Sequence, residues 1–258
     1  MFTHTYPNFA KGRILRTDML ESLRDYPHEL SDLYFREYSD GILAGVSVQV
    51  RENSLIVGAG IVKHGGRIYT LMRECELPYE ACGQEIALKL RFYPAEKDGD
   101  FTVYRTELLL VEADEAAPDE MELARFKLKE GAKLRRDYRS FTDFATEYNT
   151  LNLLHAEYAG FRQSTLHPEL LRYFAAEMMK SRTANPHDLV FAMHCLNTQA
   201  VDREAILHYV AARSGRDYKA YTNVQIHTQL CRILEDAGSG GRQVPGGRFG
   251  APQRMIVD

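Results

Sequence analysis

The sequence predicts an α+β protein with four parts. An N-terminal arm with two short helices spans 1–41, and an antiparallel β-rich module spans 42–136. A helical domain over 137–236 and an extended Gly/Arg-rich tail over 237–258 complete it. Three observations carry this reading. From Ile42 apolar residues recur at every second position, as on a half-buried strand. Turn-forming residues then break the chain at short intervals. After Arg135-Arg136 the apolar period lengthens to that of a helix.

In the arm, Thr17 is a candidate N-cap with Met19, Leu20 and Leu23 behind it, and Pro27 suits the first turn of a second helix carrying Leu30, Leu33 and Tyr34. Val46, Val48 and Val50 alternate with Ser47 and Gln49, which predicts one strand running on from Ile42. A turn at Glu52-Asn53 leads to a strand at Leu55–Val57, interrupted by Gly58 and Gly60 and resumed at Ile61-Val62. His64-Gly65-Gly66 predicts a tight hairpin turn into Arg67–Leu71. Strands follow at Ile86–Phe92 and Phe101–Val111, joined through Lys97-Asp98-Gly99-Asp100. An acidic loop over 113–120 then precedes a last strand at Leu123–Leu128. Such connections predict an antiparallel meander, since no crossover helices separate the strands.

Helices are expected from Ser140 (Phe141, Phe144, Ala145, Tyr148), from His167-Pro168, from Asn185-Pro186, from Asp202 up to Gly215, and from a Thr222/Gln225 capping box up to Gly238. The stretch 150–160 reads equally as strand or helix. No repeat and no sustained heptad pattern is present.

Composition is that of a globular protein, 45% hydrophobic and 26% charged, with 15 Tyr and 12 Phe in place of Trp. A net charge of -4 opposes general nucleic-acid binding, which needs a surplus of cations to displace counterions. Cys75, Cys82, Cys195 and Cys231 have neither redox nor zinc spacing and are expected as free thiols. Residues 1–11 do not form a signal peptide, and no apolar run approaches the ~20 residues of a membrane span. The chain reads as soluble.

Catalytic and ligand motifs are lacking. Gly60 to Gly66 has the spacing of a phosphate-binding loop, but Arg67 and a strand follow where Lys, Ser or Thr and a helix are required. There is no Gly-x-Ser-x-Gly elbow. Acidic pairs such as Glu29/Asp32 and Asp119/Glu120 are expected on the solvated surface. His187, His194, His208 and His227 with Asp188 could in principle assemble a metal site, but satisfied polar positions in a helical bundle are the plainer expectation. No metal, cofactor or enzymatic activity is therefore expected. The basic segment 127–139 interleaves Lys127, Lys129, Lys133, Arg135, Arg136 and Arg139 with aromatics. It is the alternative reading, a nucleic-acid-binding or regulatory adaptor, although neighbouring acids favour a salt-bridged face.

A series of motifs carries a resemblance. They are Lys11-Gly12-Arg13-Ile14-Leu15, Met19-Leu20-Glu21, Leu23-Arg24-Asp25-Tyr26-Pro27 and Tyr38-Ser39-Asp40-Gly41-Ile42, then Leu43-Ala44-Gly45-Val46 and the block 58–69 with Gly60-Ile61-Val62-Lys63 and Gly66-Arg67-Ile68-Tyr69. Over roughly 8–140 the chain resembles baseplate or tail-fibre adaptor proteins of bacteriophages and phage tail-like particles, of the type carried by Gram-positive prophages. The resemblance implies a virion or particle component that works by protein contact. Its partners would be other tail, baseplate or fibre proteins and further copies of itself in a symmetric assembly, with no membrane span and no nucleic acid. Such a protein would occupy the host cytoplasm during assembly and the particle afterwards. A fibre's repetitive shaft and terminal receptor-binding β-domain are lacking, which favours an adaptor over a receptor binder. Contacts are expected at Arg67 and Tyr69 beside the hairpin, at unpaired strand edges, and in the tail at Arg242, Arg248, Phe249 and Arg254.

Overall fold

A computed structural model describes residues 1, 3–113, 117–181 and 183–239. The arm leads into one helix rather than two, α1 (Thr17–Tyr34), with Pro27 inside it. Proline there removes an intrahelical hydrogen bond and crowds the carbonyl one turn back. The helix continues because it buries no residue, so water reaches the carbonyls that Pro27 leaves unpaired. Arg16, not Thr17, occupies the cap position, and no side chain caps it. At the far end the Lys63 ammonium donates to the carbonyls of Phe35 (2.8 Å) and Tyr38.

The β module alternates between sheets. The first sheet takes β1 (Gly41–Gly45), β4 (Gly60–His64) and β5 (Arg67–Leu71). The second takes β2 (Val48–Val50), β3 (Ser54–Val57) and β6 (Cys75–Pro78). The strand expected to run unbroken from Ile42 through Val50 is therefore two strands. Gly45 (φ 68°) and Val46 (φ 56°) turn the chain out of the first sheet. Val46 and Val48 are nonetheless buried and Ser47 and Gln49 exposed, as the alternation predicts. Gly45 pairs with Gly60 where the backbones come so close that a Cβ on Gly60 would lie 2.3 Å from the Val46 nitrogen. The β4–β5 hairpin turns at Gly65-Gly66, both at positive φ.

A third sheet has β7 (Glu85–Phe92) between β10 (Thr106–Glu112) and β11 (Glu120–Lys127), antiparallel to both. The expected strand at Phe101–Val111 is broken in two, since β9 (Phe101–Val103) pairs instead with β8 (Glu96–Asp98) in a small hairpin. β7 is buried on both faces: Leu88, Leu90 and Phe92 on one, Ala87 and Lys89 on the other. Lys89 is neutralised by Glu120 at 3.0 Å, and Glu120 also takes the Arg91 guanidinium at 2.6 Å. Buried charge of this kind is tolerated only when paired.

β11 is not the last strand, nor is the architecture a meander. β12 (Glu157–Tyr158) runs parallel to β1 at Ile42↔Tyr158, and β13 (Thr165–Leu166) extends the same sheet. The ambiguous stretch 150–160 thus supplies a strand. The helix expected from Ser140 is a 3-10 turn, Phe141–Ala145. Asp143 ends it by accepting from the Thr146 hydroxyl, the Arg139 amide and both guanidinium nitrogens of Arg135.

The remaining helices are α2 (Pro168–Lys180), α3 (Pro186–Asn197), α4 (Arg203–Ser214) and α5 (Asn223–Gly238). His167 and Asn185 cap α2 and α3 through their side chains, each with proline next. Thr222 and Gln225 form the reciprocal capping box of α5. Asp202 stands at the cap of α4 without capping it, its carboxylate accepting from the Phe161 amide instead. Two apolar cores result. One joins the three larger sheets around Ile42, Leu55, Leu88 and Leu123, and the other joins α2–α5 to Phe141 and Phe144. The mixed α+β class is as expected.

Candidate protein-docking site

Three sheets end at one place. β5 is the last strand of the first sheet, β6 of the second and β10 of the third, so each has a neighbour on one side only. Between them lies a cavity of about 380 Å³. Tyr69, Thr70 and Leu71 of β5, Cys75 and Leu77 of β6, and Thr106, Glu107 and Leu108 of β10 form its walls. Val46, Val62, Leu90 and Leu123 form its floor. An unpaired edge presents a row of main-chain donors and acceptors that another extended chain can pair with. Apolar side chains behind the edge then receive alternate residues of that chain.

The sequence marks why these strands are edges. Pro78 has no N–H to give and sits opposite Ser54 at the end of β6, a place where proline is tolerated. Cys75 and Leu77 are half-buried while Glu76 and Pro78 are exposed, which is a period of two. That pattern would have found β6, a strand missing from the sequence reading.

An aromatic rim adjoins the cavity. The Arg67 guanidinium lies over the Tyr104 ring at 4.2 Å. Tyr69 meets Phe92 edge-on at 5.0 Å, and His64 stacks on Phe92 at 3.9 Å. Tyr93 donates to the Glu107 carboxylate. Arg67, Tyr69, Tyr93 and Tyr104 share a shallow hollow beside the cavity. Partial burial raises the Tyr69 phenol above its ordinary range, so it is a neutral donor at physiological pH. Tyrosine and arginine are enriched among residues that anchor protein interfaces. The two described residues predicted for contact are thus brought together, and Tyr93 and Tyr104 join them from a part of the chain the sequence reading did not single out. Arg242, Arg248, Phe249 and Arg254 lie outside the described residues.

Asp188, His208 and His227 are engaged elsewhere in the helical domain rather than with one another. The Asp188 carboxylate is fully buried and accepts from Tyr209 (2.8 Å), Arg213 (2.6 Å) and Thr183 (2.9 Å). His227 pairs its Nε2 with the Phe141 carbonyl at 2.8 Å, and His208 packs on Tyr218. Among the described residues no group of three or more His, Cys, Asp or Glu is placed to hold a metal. In the basic segment, Lys127 pairs with Glu147 at 2.9 Å, Arg135 with Asp143 at 2.7 Å, and Arg136 with Glu169. Lys127 and Lys129 also lie on the Tyr148 ring. Cations held in this way are poor at displacing counterions from a phosphate backbone. No helix among the described residues is long and apolar enough to cross a membrane.

No family model and no curated protein matches the chain. Among solved structures it is similar to a crystal structure of TssK, at 12% identity and a TM-score of 0.43, over 91% of this chain and 69% of that one. It is also similar to a chain of the type VI secretion system TssK–TssF–TssG baseplate subcomplex, at 10% identity and a TM-score of 0.38, over 91% and 99%.

Proposed function

We propose that this chain is a structural adaptor that acts by protein contact, and that it receives an extended segment of a partner protein at the cleft between β5, β6 and β10. One observation carries the reading: three unpaired strand edges converge on an apolar cavity whose rim holds Arg67, Tyr69, Tyr93 and Tyr104. The edges supply main-chain hydrogen bonds, the cavity takes apolar side chains, and the rim adds anchors.

The motif resemblance over 8–140 supports a finer assignment, a baseplate or fibre-attachment component of a phage tail or tail-like particle of the Gram-positive prophage type. On that reading the chain catalyses nothing, assembles in the host cytoplasm and leaves with the particle. The test is mass spectrometry of tail-like particles purified on a density gradient from the induced native host. Recovery in a fixed ratio to tube, sheath or baseplate proteins is expected. Particles that form without the chain, while it stays in the soluble fraction, would overturn the assignment.

A further inference from the structure

Helix α1 carries an apolar side that the described chain leaves mostly exposed, with the His4 ring of the arm meeting Tyr26 edge-on at 5.8 Å. Its residues sort cleanly by side. At ~100° per residue every apolar position falls within one arc of about 140°, and every charged position falls outside it. Leu20, Leu23, Tyr26, Leu30, Leu33 and Tyr34 all lie in that arc and all are exposed, from 48% at Tyr26 to 70% at Tyr34. Together they expose on the order of 600 Å² of apolar surface, the size of the largest patch on a typical monomer and approaching the ~800 Å² per partner of a standard interface. A lone helix of this length with an internal proline is marginal in water, so its apolar side requires packing.

We infer that the partner is a second copy of this chain, with α1 packed along α1. Met19, Leu23, Tyr26, Leu30 and Leu33 follow one another at steps of four, three, four and three, the spacing at which two such helices interlock their side chains. The charges agree. Acids at 18, 21, 25, 29 and 32 oppose only Arg24, and they lie away from the seam. That acidic outer side is repelled by an anionic lipid surface, which selects helices with Lys and Arg outside. In a parallel pair Glu29 comes beside Tyr34 of the partner subunit, and no two like charges meet across the seam. The inference is independent of the strand-edge cleft, because neither Leu23 nor Leu30 lines it.

Sedimentation equilibrium of the full chain at micromolar concentration tests it, alongside the double variant Leu23→Glu/Leu30→Glu. Both positions are solvent-exposed, so the variant keeps its two cores, and an unchanged melting temperature verifies this. The expected result is a mass that is a multiple of 29.5 kDa for the natural chain, falling on dilution, and a monomer for the variant. A natural chain that is monomeric at these concentrations, as it would be if α1 served only a different protein, overturns the inference. So does a variant that associates as well as the natural chain.

Discussion

At the scale of single residues, Arg67 and Val46 show how the docking cleft is made. Arg67 is exposed and its guanidinium rests on Tyr104, so it supports no core packing. Arg67→Ala is therefore expected to leave the melting temperature within a degree or so while weakening partner retention about tenfold or more, the loss typical of an interface anchor. Retention of the variant in purified particles measures this. Val46 is a β-branched residue at φ 56°, a conformation that costs on the order of 1–3 kcal/mol, and it forms part of the cavity floor.

Three histidines set the response to acid. Burial lowers His155, His167 and His227, with His167 taken down to about 3. In the unfolded chain these rings bind a proton near pH 6.5. Below that pH the unfolded state holds protons that the folded state refuses, so stability falls as pH falls. The loss for His167 continues down to about pH 3 and amounts to about 1.4 kcal/mol for each pH unit in that window. Melting temperatures should hold from pH 7.5 to about 6.5 and drop steadily below it to pH 5, and His167→Gln should flatten that drop.

At the scale of elements, the 3-10 turn Phe141–Ala145 joins the two cores. Phe141 and Phe144 belong to the helical core, while Asp143 on the opposite side holds Arg135 at the end of the β module. The Arg135 guanidinium, the Arg139 amide and the Thr146 hydroxyl keep the Asp143 carboxylate below the ordinary range. Asp143→Ala leaves Arg135 with only its Asp137 contacts and should cost about 2–3 kcal/mol, read as a shift in a urea midpoint. The elements also show what sequence can and cannot carry. The caps at His167-Pro168, Asn185-Pro186 and Thr222/Gln225 were legible because a cap is made by residues a few positions apart. The Gly65-Gly66 hairpin was legible for the same reason. The pairing of β1 with β12 left no trace, since Ile42 and Tyr158 are brought together only by the whole fold. Pro27 misled because its usual effect on a helix interior was offset in α1, which buries no residue and leaves its carbonyls open to water.

At the scale of the whole molecule, the chain switches sheets at Gly45-Val46, at Gly58-Ala59 and again between Leu71 and Cys75, and so ends three sheets around one cavity. That strand edges would offer contacts was legible; that three would meet was not, because sheet order is set by long-range packing of Val46, Leu55, Val62, Leu90 and Leu123. Arg67 and Tyr69 were likewise legible beside the hairpin, whereas Tyr93 and Tyr104 reach the same hollow from the connections that follow β7 and β9, distant in sequence.

The measurement that bears most directly on the docking cleft uses Thr70→Lys/Thr106→Lys, two exposed edge positions in the cavity wall. Charged side chains on an edge block strand addition without disturbing a core. The variant, expressed in the native host in place of the natural chain, should melt within a degree or so of it yet be absent from gradient-purified particles. A variant that folds and is incorporated in the same ratio as the natural chain would contradict docking at β5, β6 and β10.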